Sequence, residues 1–310
     1  MKHNANSPGL ISRSAFVQLL AALFVLLFSA LVLSGLALLA GRLFFGEWLS
    51  NISFQGELSP EQLAYLKFAQ ALQHISFFVI PPLLVAWLMT GRVFRYFGMH
   101  VFPGSTALML VSILALALLP LTGDLGVMNS GLKLPEWLSG LESWMQSKED
   151  EAANLTAWLI ESGNTRSLLV NICILALLPA VGEELLYRGV LQQIFEKLFR
   201  SAHLSVLVTA ILFSASHLQF YGFLPRFLLG LVYGYLFYWS RSIWLPALAH
   251  FVNNLVPVIL ARAFGWETLN SKVRDLAGGE GYTWIIPLLL SVVLMYAVRD
   301  IFRNPGYSER

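Results

Sequence analysis

Charge is scarce in this chain. Only 12% of its 310 residues are Asp, Glu, Lys or Arg, about half of the roughly 25% found in soluble domains. So few charges cannot cover a water-facing surface of this size, which excludes an ordinary soluble enzyme. The net charge is +2, which leaves no basic field for nucleic acid, and no nucleic-acid partner is expected. There is one cysteine, Cys173, so no intrachain disulfide can form. It lies inside an apolar run and reads as a small core residue. The sequence also shows no internal repeat, no low-complexity tract, no lipidation motif and no His-Glu-x-x-His helix of the zinc peptidases.

What the chain has in excess is apolar residues, 57% of the total, with a mean hydropathy of +0.67. They are gathered into long runs, which is how membrane spans read. With about 20 residues needed per crossing, eight spans are expected: Phe16 to Phe45, Ala69 to Met89, Ser105 to Leu121, Ser167 through Pro179 to Glu183, Leu204 to His217, Phe223 to Trp239, Ile243 to Ala263, and Thr283 to Val298. The first follows Lys2 and Arg13 as a signal peptide would. Its apolar run is about twice too long for one, so it reads as a retained span. Pro81 and Pro82 predict a kink in the second. The expected fold is an all-α polytopic transmembrane helical bundle of about eight spans. It forms one integrated domain, with N-terminal spans and a polar loop over 1–166, polar-bearing helices over 167–265, and a last loop and span over 266–310.

Loop charges give a direction. Lys2, Arg13, Arg92, Arg95, Lys197, Arg200, Arg241, Arg299, Arg303 and Arg310 fall on one side. Glu47, Glu57, Glu61, Glu149, Asp150 and Glu151 fall on the other. Excess Lys and Arg marks the cytoplasmic side, so both termini read as cytoplasmic, against Arg226, Arg262, Lys272 and Arg274. The short loops suggest a prokaryotic plasma membrane. The longest polar stretch is Gly123 to Arg166. In it Trp137, Leu138, Leu141, Trp144 and Met145 share one helical face, which suits an amphipathic helix at the interface; a plain connecting loop is the other reading.

Ionisable groups in apolar spans cost about 2.5–3.5 kcal/mol each at mid-helix, so those present are functional candidates by default. They cluster in three places. VGEELLYRGV carries Glu183, Glu184 and Arg188. Glu184 and Arg188 are four apart and can pair on one face, which leaves Glu183 facing elsewhere. ILFSASHLQF carries Phe213 and His217 one turn apart, and LPALAHFVNNLVPV carries His250 and Asn254 one turn apart. Each has a bland reading: a structural ion pair, a hydrogen-bonded interhelical histidine, interhelical glue. Together they hold a base, an orienting group and oxyanion donors, the inventory of a hydrolytic site. If the chain turns near Ser201, Glu183 and His217 lie at similar depth, roughly 27 and 24 Å from the turn. His250 would need a tilt or a shorter sixth helix to join them.

Glu-Glu-x-x-x-Arg, then Phe-x-x-x-His, then His-x-x-x-Asn, in that order on successive spans, resembles the CPBP intramembrane proteases. These are the type II CAAX-prenyl endopeptidases and the bacteriocin-processing or self-immunity proteins, also called the Abi family. The resemblance covers about Leu169 to Leu260. It implies that Glu183 activates the attacking water with the help of His217, that His250 and Asn254 stabilise the oxyanion, and that Glu184 and Arg188 support the first motif. It also implies a membrane-associated peptide or protein substrate. Catalysis in the family is described both as metalloprotease chemistry and as glutamate-dependent without metal. No metal is expected here; a bound divalent ion such as zinc would take Glu183, His217 and His250 with water as the fourth ligand. The alternatives are a non-catalytic immunity or peptide-binding protein of the same fold, and a proton-coupled transporter. The latter is disfavoured by the absence of paired, interrupted helices in two halves.

Overall fold

The computed structural model describes residues 10–46, 58–161, 165–277 and 284–303, and every regular element among them is helical. The chain-order helices used below are α1 (Ala15–Phe45), α2 (Pro60–Thr90), α3 (Ser105–Ser130), α4 (Ser139–Glu161), α5 (Arg166–Phe199), α6 (Ala202–Ala215), α7 (Phe223–Ser240), α8 (Trp244–Phe264), α9 (Trp266–Ala277) and α10 (Ile285–Arg303). Seven of them are long and apolar enough to cross a membrane: α1, α2, α3, α5, α7, α8 and α10. This is an integral membrane protein with a polytopic helical fold. The expected fifth span is α6, whose 14 residues reach about 21 Å, short of a hydrocarbon core of about 30 Å. The expected fourth span runs on through the Glu183 region to Phe199. Lys2, Glu47, Glu57, Thr283 and Arg310 lie outside the described residues.

Helix starts are written locally. Ser14 caps α1 by accepting from the Val17 amide. Ser59 and Gln62 form a reciprocal capping box on α2, with Pro60 as its first residue, satisfying amides that the helix start leaves without partners. Between α5 and α6, Arg200 adopts a left-handed conformation and Ser201 caps the next helix.

The central element is α3. Val111, Leu114 and Ala115 are fully buried against α7, α8 and α10. A second cluster joins α2, through Val85, Ala86 and Met89, to Leu185, Val190 and Ile194 of α5. Lipid tails are as apolar as side chains, so packing between helices depends on close approach at small residues. Gly230 on α7 illustrates this: a Cβ there would stand 3.0 Å from the Ala210 Cα of α6. The peripheral helices α1 and α10 leave large apolar side chains such as Leu31 and Ile286 exposed.

The spans are interrupted where the polar residues sit. The kink expected at Pro81 and Pro82 is handled by a π-helical turn at Ile75–Val79. In α5, π-helical turns at Cys173–Leu177 and Leu185–Gln192 flank the short α-helical piece carrying Pro179, Glu183 and Glu184. Single π-turns inside helices concentrate at functional sites. Cys173 is not a core residue: it is exposed on the outward side of α5, while Ile174 and Ala176 turn inward. In a span whose outer face is also apolar, apolar neighbours do not distinguish inside from outside.

The polar stretch after α3 folds as a helix, α4, and not as a plain loop. Trp137, Leu141 and Trp144 are exposed, while Leu159 and Ile160 are buried, Ile160 against Val258 and Ala261 of α8. Trp144 packs on Phe220, ring centroids 5.7 Å apart.

Candidate active site

The six residues singled out by sequence come together around Glu183. Its carboxylate is nearly buried, and two histidines approach one oxygen: His217 Nε2 at 3.8 Å and His250 Nε2 at 3.9 Å from Oε2. That oxygen has no hydrogen-bond partner. The expected equality of depth between Glu183 and His217 is therefore observed, and His250 is level with both.

Each histidine is aimed by its other nitrogen. His217 Nδ1 lies 2.8 Å from the Phe213 carbonyl. A carbonyl can only accept, so Nδ1 carries the proton and donates. In a neutral ring Nε2 is then a bare lone pair facing Glu183. His217 stands just beyond the end of α6, where Leu218 takes a left-handed conformation and turns the chain. His250 Nδ1 donates in the same way to Glu184 Oε1, at 2.8 Å. Its ring stacks on Tyr233, centroids 5.1 Å apart and planes 18° apart.

The pairing expected from the four-residue spacing is present: Arg188 Nη1 donates to Glu184 Oε1 at 2.8 Å, with both side chains fully buried. Arg188 also donates from Nη2 to the Gly230 carbonyl at 3.0 Å. Its guanidinium lies 4.6 Å from the centroid of the Phe213 ring. Phe213 thus faces the arginine with its ring and holds His217 with its carbonyl. Glu184 does more than pair with Arg188, because it also fixes the ring of His250. Removing one partner of a buried pair leaves the other charge uncompensated, a loss of typically about 3–5 kcal/mol. Arg188→Ala is therefore expected to lower the yield of folded protein and its melting temperature. Normal accumulation with an unchanged melting curve would contradict this structural role.

Asn254 shares with Glu183, His217 and His250 a cavity of ≈ 340 Å³. The neighbouring Asn253 is engaged elsewhere. It accepts from the Tyr233 hydroxyl at 2.8 Å and donates to the Ala115 carbonyl at 2.8 Å, which ties α8 to α7 and α3.

Several residues of this environment were not singled out by sequence. His74 of α2 places Nε2 3.7 Å from the other oxygen of Glu183, Oε1. A lone histidine with no polar partner one turn away gives no signal in sequence. Arg226 lines the cavity and donates to Gln219 Oε1 from Nη1 at 3.0 Å and from Nη2 at 2.8 Å. Its count among loop charges hid it. Thr156 and Ile160 of α4 and Trp266 of α9 also line the cavity, so two helices that do not cross the membrane cover the site. On α4, burial pushes the Glu149 carboxyl above the usual range, opposed by the Arg226 charge.

Against known families, residues 165–256 match the family model of the type II CAAX prenyl endopeptidases, Rce1-like. This stretch is similar to the Rce1-like domain. The match indicates an intramembrane endopeptidase in general terms and agrees with the CPBP resemblance. All seven residues of the three motifs lie inside it, whereas His74 lies outside. Comparison with curated proteins and with solved structures gives no match.

Proposed function

We propose that the chain is an intramembrane endopeptidase in which Glu183 is the general base for water attack on a peptide bond. The observation that carries this is the approach of His217 and His250 Nε2 to the unpartnered Oε2 of Glu183 inside a cavity that Asn254 also lines. A water placed between Glu183 Oε2 and the bare Nε2 of His217 gives its proton to Glu183 as its oxygen attacks the peptide carbonyl. The carbonyl oxygen becomes an oxyanion and meets the Asn254 amide and His250. His250 already donates from Nδ1 to Glu184, so it donates to the oxyanion as an imidazolium with its second proton on Nε2. Glu184 is already paired with Arg188, so the imidazolium charge is met by the Glu183 carboxylate before proton transfer and by the oxyanion after it. The C–N bond then breaks, and Glu183 returns its proton to the leaving amine.

The substrate is a membrane-associated peptide or protein, with an unprenylated peptide at least as compatible as a prenylated one. The protein would sit in a prokaryotic plasma membrane with both termini cytoplasmic. The test is a quantitative comparison of membrane proteomes from cells expressing the wild type and Glu183→Gln. Intact substrate should accumulate with the variant. Identical proteomes would end the protease reading.

A metal reading has one observation in its favour. Metal-bound histidines usually donate their second nitrogen to a carbonyl or carboxylate, as His217 and His250 do here. The spacing is wider than a bound zinc would set. Zinc bonds of this kind put ligand atoms about 3.3–3.4 Å apart in a tetrahedron. The Glu183–histidine separations are 3.8 and 3.9 Å, and no three His, Cys, Asp or Glu among the described residues are placed to hold a metal ion. We propose chemistry without metal. Cleavage is expected to survive a strong chelator such as 1,10-phenanthroline, with less than one metal per ten chains by elemental analysis. Loss of activity restored by added zinc would reverse this reading.

A further inference from the structure

The two oxygens of Glu183 are treated differently by their surroundings. His217 and His250 face Oε2 at 3.8 and 3.9 Å. Among the described residues, Oε1 has one basic nitrogen within 4 Å, His74 Nε2 at 3.7 Å. That nitrogen is buried and has no hydrogen-bond partner, and buried polar groups without partners are rare enough to need an explanation. The histidine comes from α2, outside the stretch that carries the Rce1-like match.

Its position is built. His74 ends the first α-helical piece of α2, and the π-helical turn Ile75–Val79 follows directly. The ring stacks on Phe78, centroids 4.6 Å apart and planes 28° apart. The opposing residue on α5 is Gly182, immediately before Glu183. A Cβ there would lie 3.0 Å from the Phe78 Cβ and 3.3 Å from the His74 Cδ2. Glycine lets the two spans approach closely enough to bring the imidazole to the carboxylate.

The terminal torsion of a glutamate is broad and roughly two-fold, so a carboxylate held at neither oxygen samples many orientations. A base for water needs one oxygen aimed at the nucleophile. We propose that His74 is the positioning residue for Glu183: Nε2–H takes Oε1 and fixes the carboxylate plane, so that Oε2 is presented to the water it shares with His217. The 3.7 Å separation is longer than a hydrogen bond. Catalytic hydrogen bonds are often long without substrate and tighten in the complex, and a small rotation of the carboxylate closes this one. The proposal rests on Glu183 being the base.

The test uses full-length wild type, Glu183→Gln, His74→Ala, His74→Gln and His74→Asn. Membrane proteomics first identifies the substrate that accumulates with Glu183→Gln. A fluorogenic peptide copied from its cleaved segment then gives kcat and KM for each purified protein, with melting temperatures in parallel. His74→Ala should accumulate the same intact substrate and lower kcat by about 10- to 100-fold, the scale of a 1 Å misplacement. KM should stay within about twofold, since uniform binding is untouched. His74→Gln should recover most of the rate, because its amide nitrogen reaches the position of Nε2; His74→Asn, one carbon shorter, should not. A wild-type kcat for His74→Ala beside an inactive Glu183→Gln overturns the His74 proposal alone. So does a change confined to KM, or equal rates for Gln and Asn. If His74→Ala does not fold, the Gln and Asn variants decide by the same criterion. If Glu183→Gln accumulates nothing, the protease reading falls and this proposal falls with it.

Discussion

Glu183→Gln is expected to insert, fold and bind substrate normally while cleaving almost nothing. Glutamine has nearly the shape and volume of glutamate, so the packing of α5 against α2 and α8 is preserved. The oxygen that would be lost, Oε2, has no hydrogen-bond partner in the fold, so the substitution removes no structural contact. The buried ion pair that holds the helices together belongs to Glu184 and Arg188 and is left intact. What disappears is the capacity to accept a proton from water. A positioned general base contributes about 100- to 10,000-fold to a rate, and the residues that act with it lose their purpose when it is gone. The variant should therefore serve as a trap, with an unchanged melting temperature and with substrate co-purifying. The measurement is cleavage of the accumulating substrate by purified wild type and variant in the same detergent or lipid. A rate near that of the wild type would remove Glu183 from the base role. A collapsed melting temperature would show that its carboxylate serves the fold instead.

The sequence carried the spans and the i, i+4 pairs well, for a physical reason. Hydrophobic runs and one-turn spacings are local, so Glu184 with Arg188 could be paired from spacing alone, and Asn254 could be chosen beside His250. Asn253, three residues from His250, was not singled out, and the structure gives it a separate duty with Tyr233 and Ala115. What escaped was non-local or inverted by the membrane. His74 meets Glu183 only because α2 and α5 pack at Gly182, a contact no spacing encodes. Arg226 was counted as a loop charge that opposed the orientation rule, yet it lines the cavity. Cys173 was placed in the core because its neighbours are apolar, although in a lipid-facing span the exposed side is apolar as well. The level position of His250 could not be reached by counting residues, since α6 is shorter than a full crossing and the chain turns at Leu218. The amphipathic stretch was legible as a helix face, but its position over the cavity depends on Trp144 meeting Phe220 and Ile160 meeting α8.

Asn254→Ala is expected to lower turnover by about 100- to 1,000-fold, the usual loss for one oxyanion donor, with little change in peptide affinity. The reasoning starts from α8. His250 and Asn254 are one turn apart, so a single helix face presents both to the cavity, and both line it with Glu183. Their surroundings differ. His250 is fixed by Glu184 and stacked on Tyr233, so replacing it would also disturb the buried Arg188 pair. Asn254 is the cleaner probe, because the contacts that tie α8 to α3 and α7 belong to Asn253. An amide that meets the carbonyl oxygen mainly as negative charge develops contributes to the transition state and little to the ground state, so kcat falls and KM does not. A proton-relaying transporter has no oxyanion, and a peptide-binding protein has no turnover, so the kcat effect separates the protease from both. The experiment measures kcat for Asn254→Ala with the peptide identified through Glu183→Gln. The affinity of that peptide is measured for Glu183→Gln with and without Asn254→Ala, where no cleavage interferes. Equal affinities with a slow single variant support the oxyanion role. If binding is abolished while bound substrate is cleaved at the wild-type rate, Asn254 is a substrate anchor and the oxyanion assignment fails.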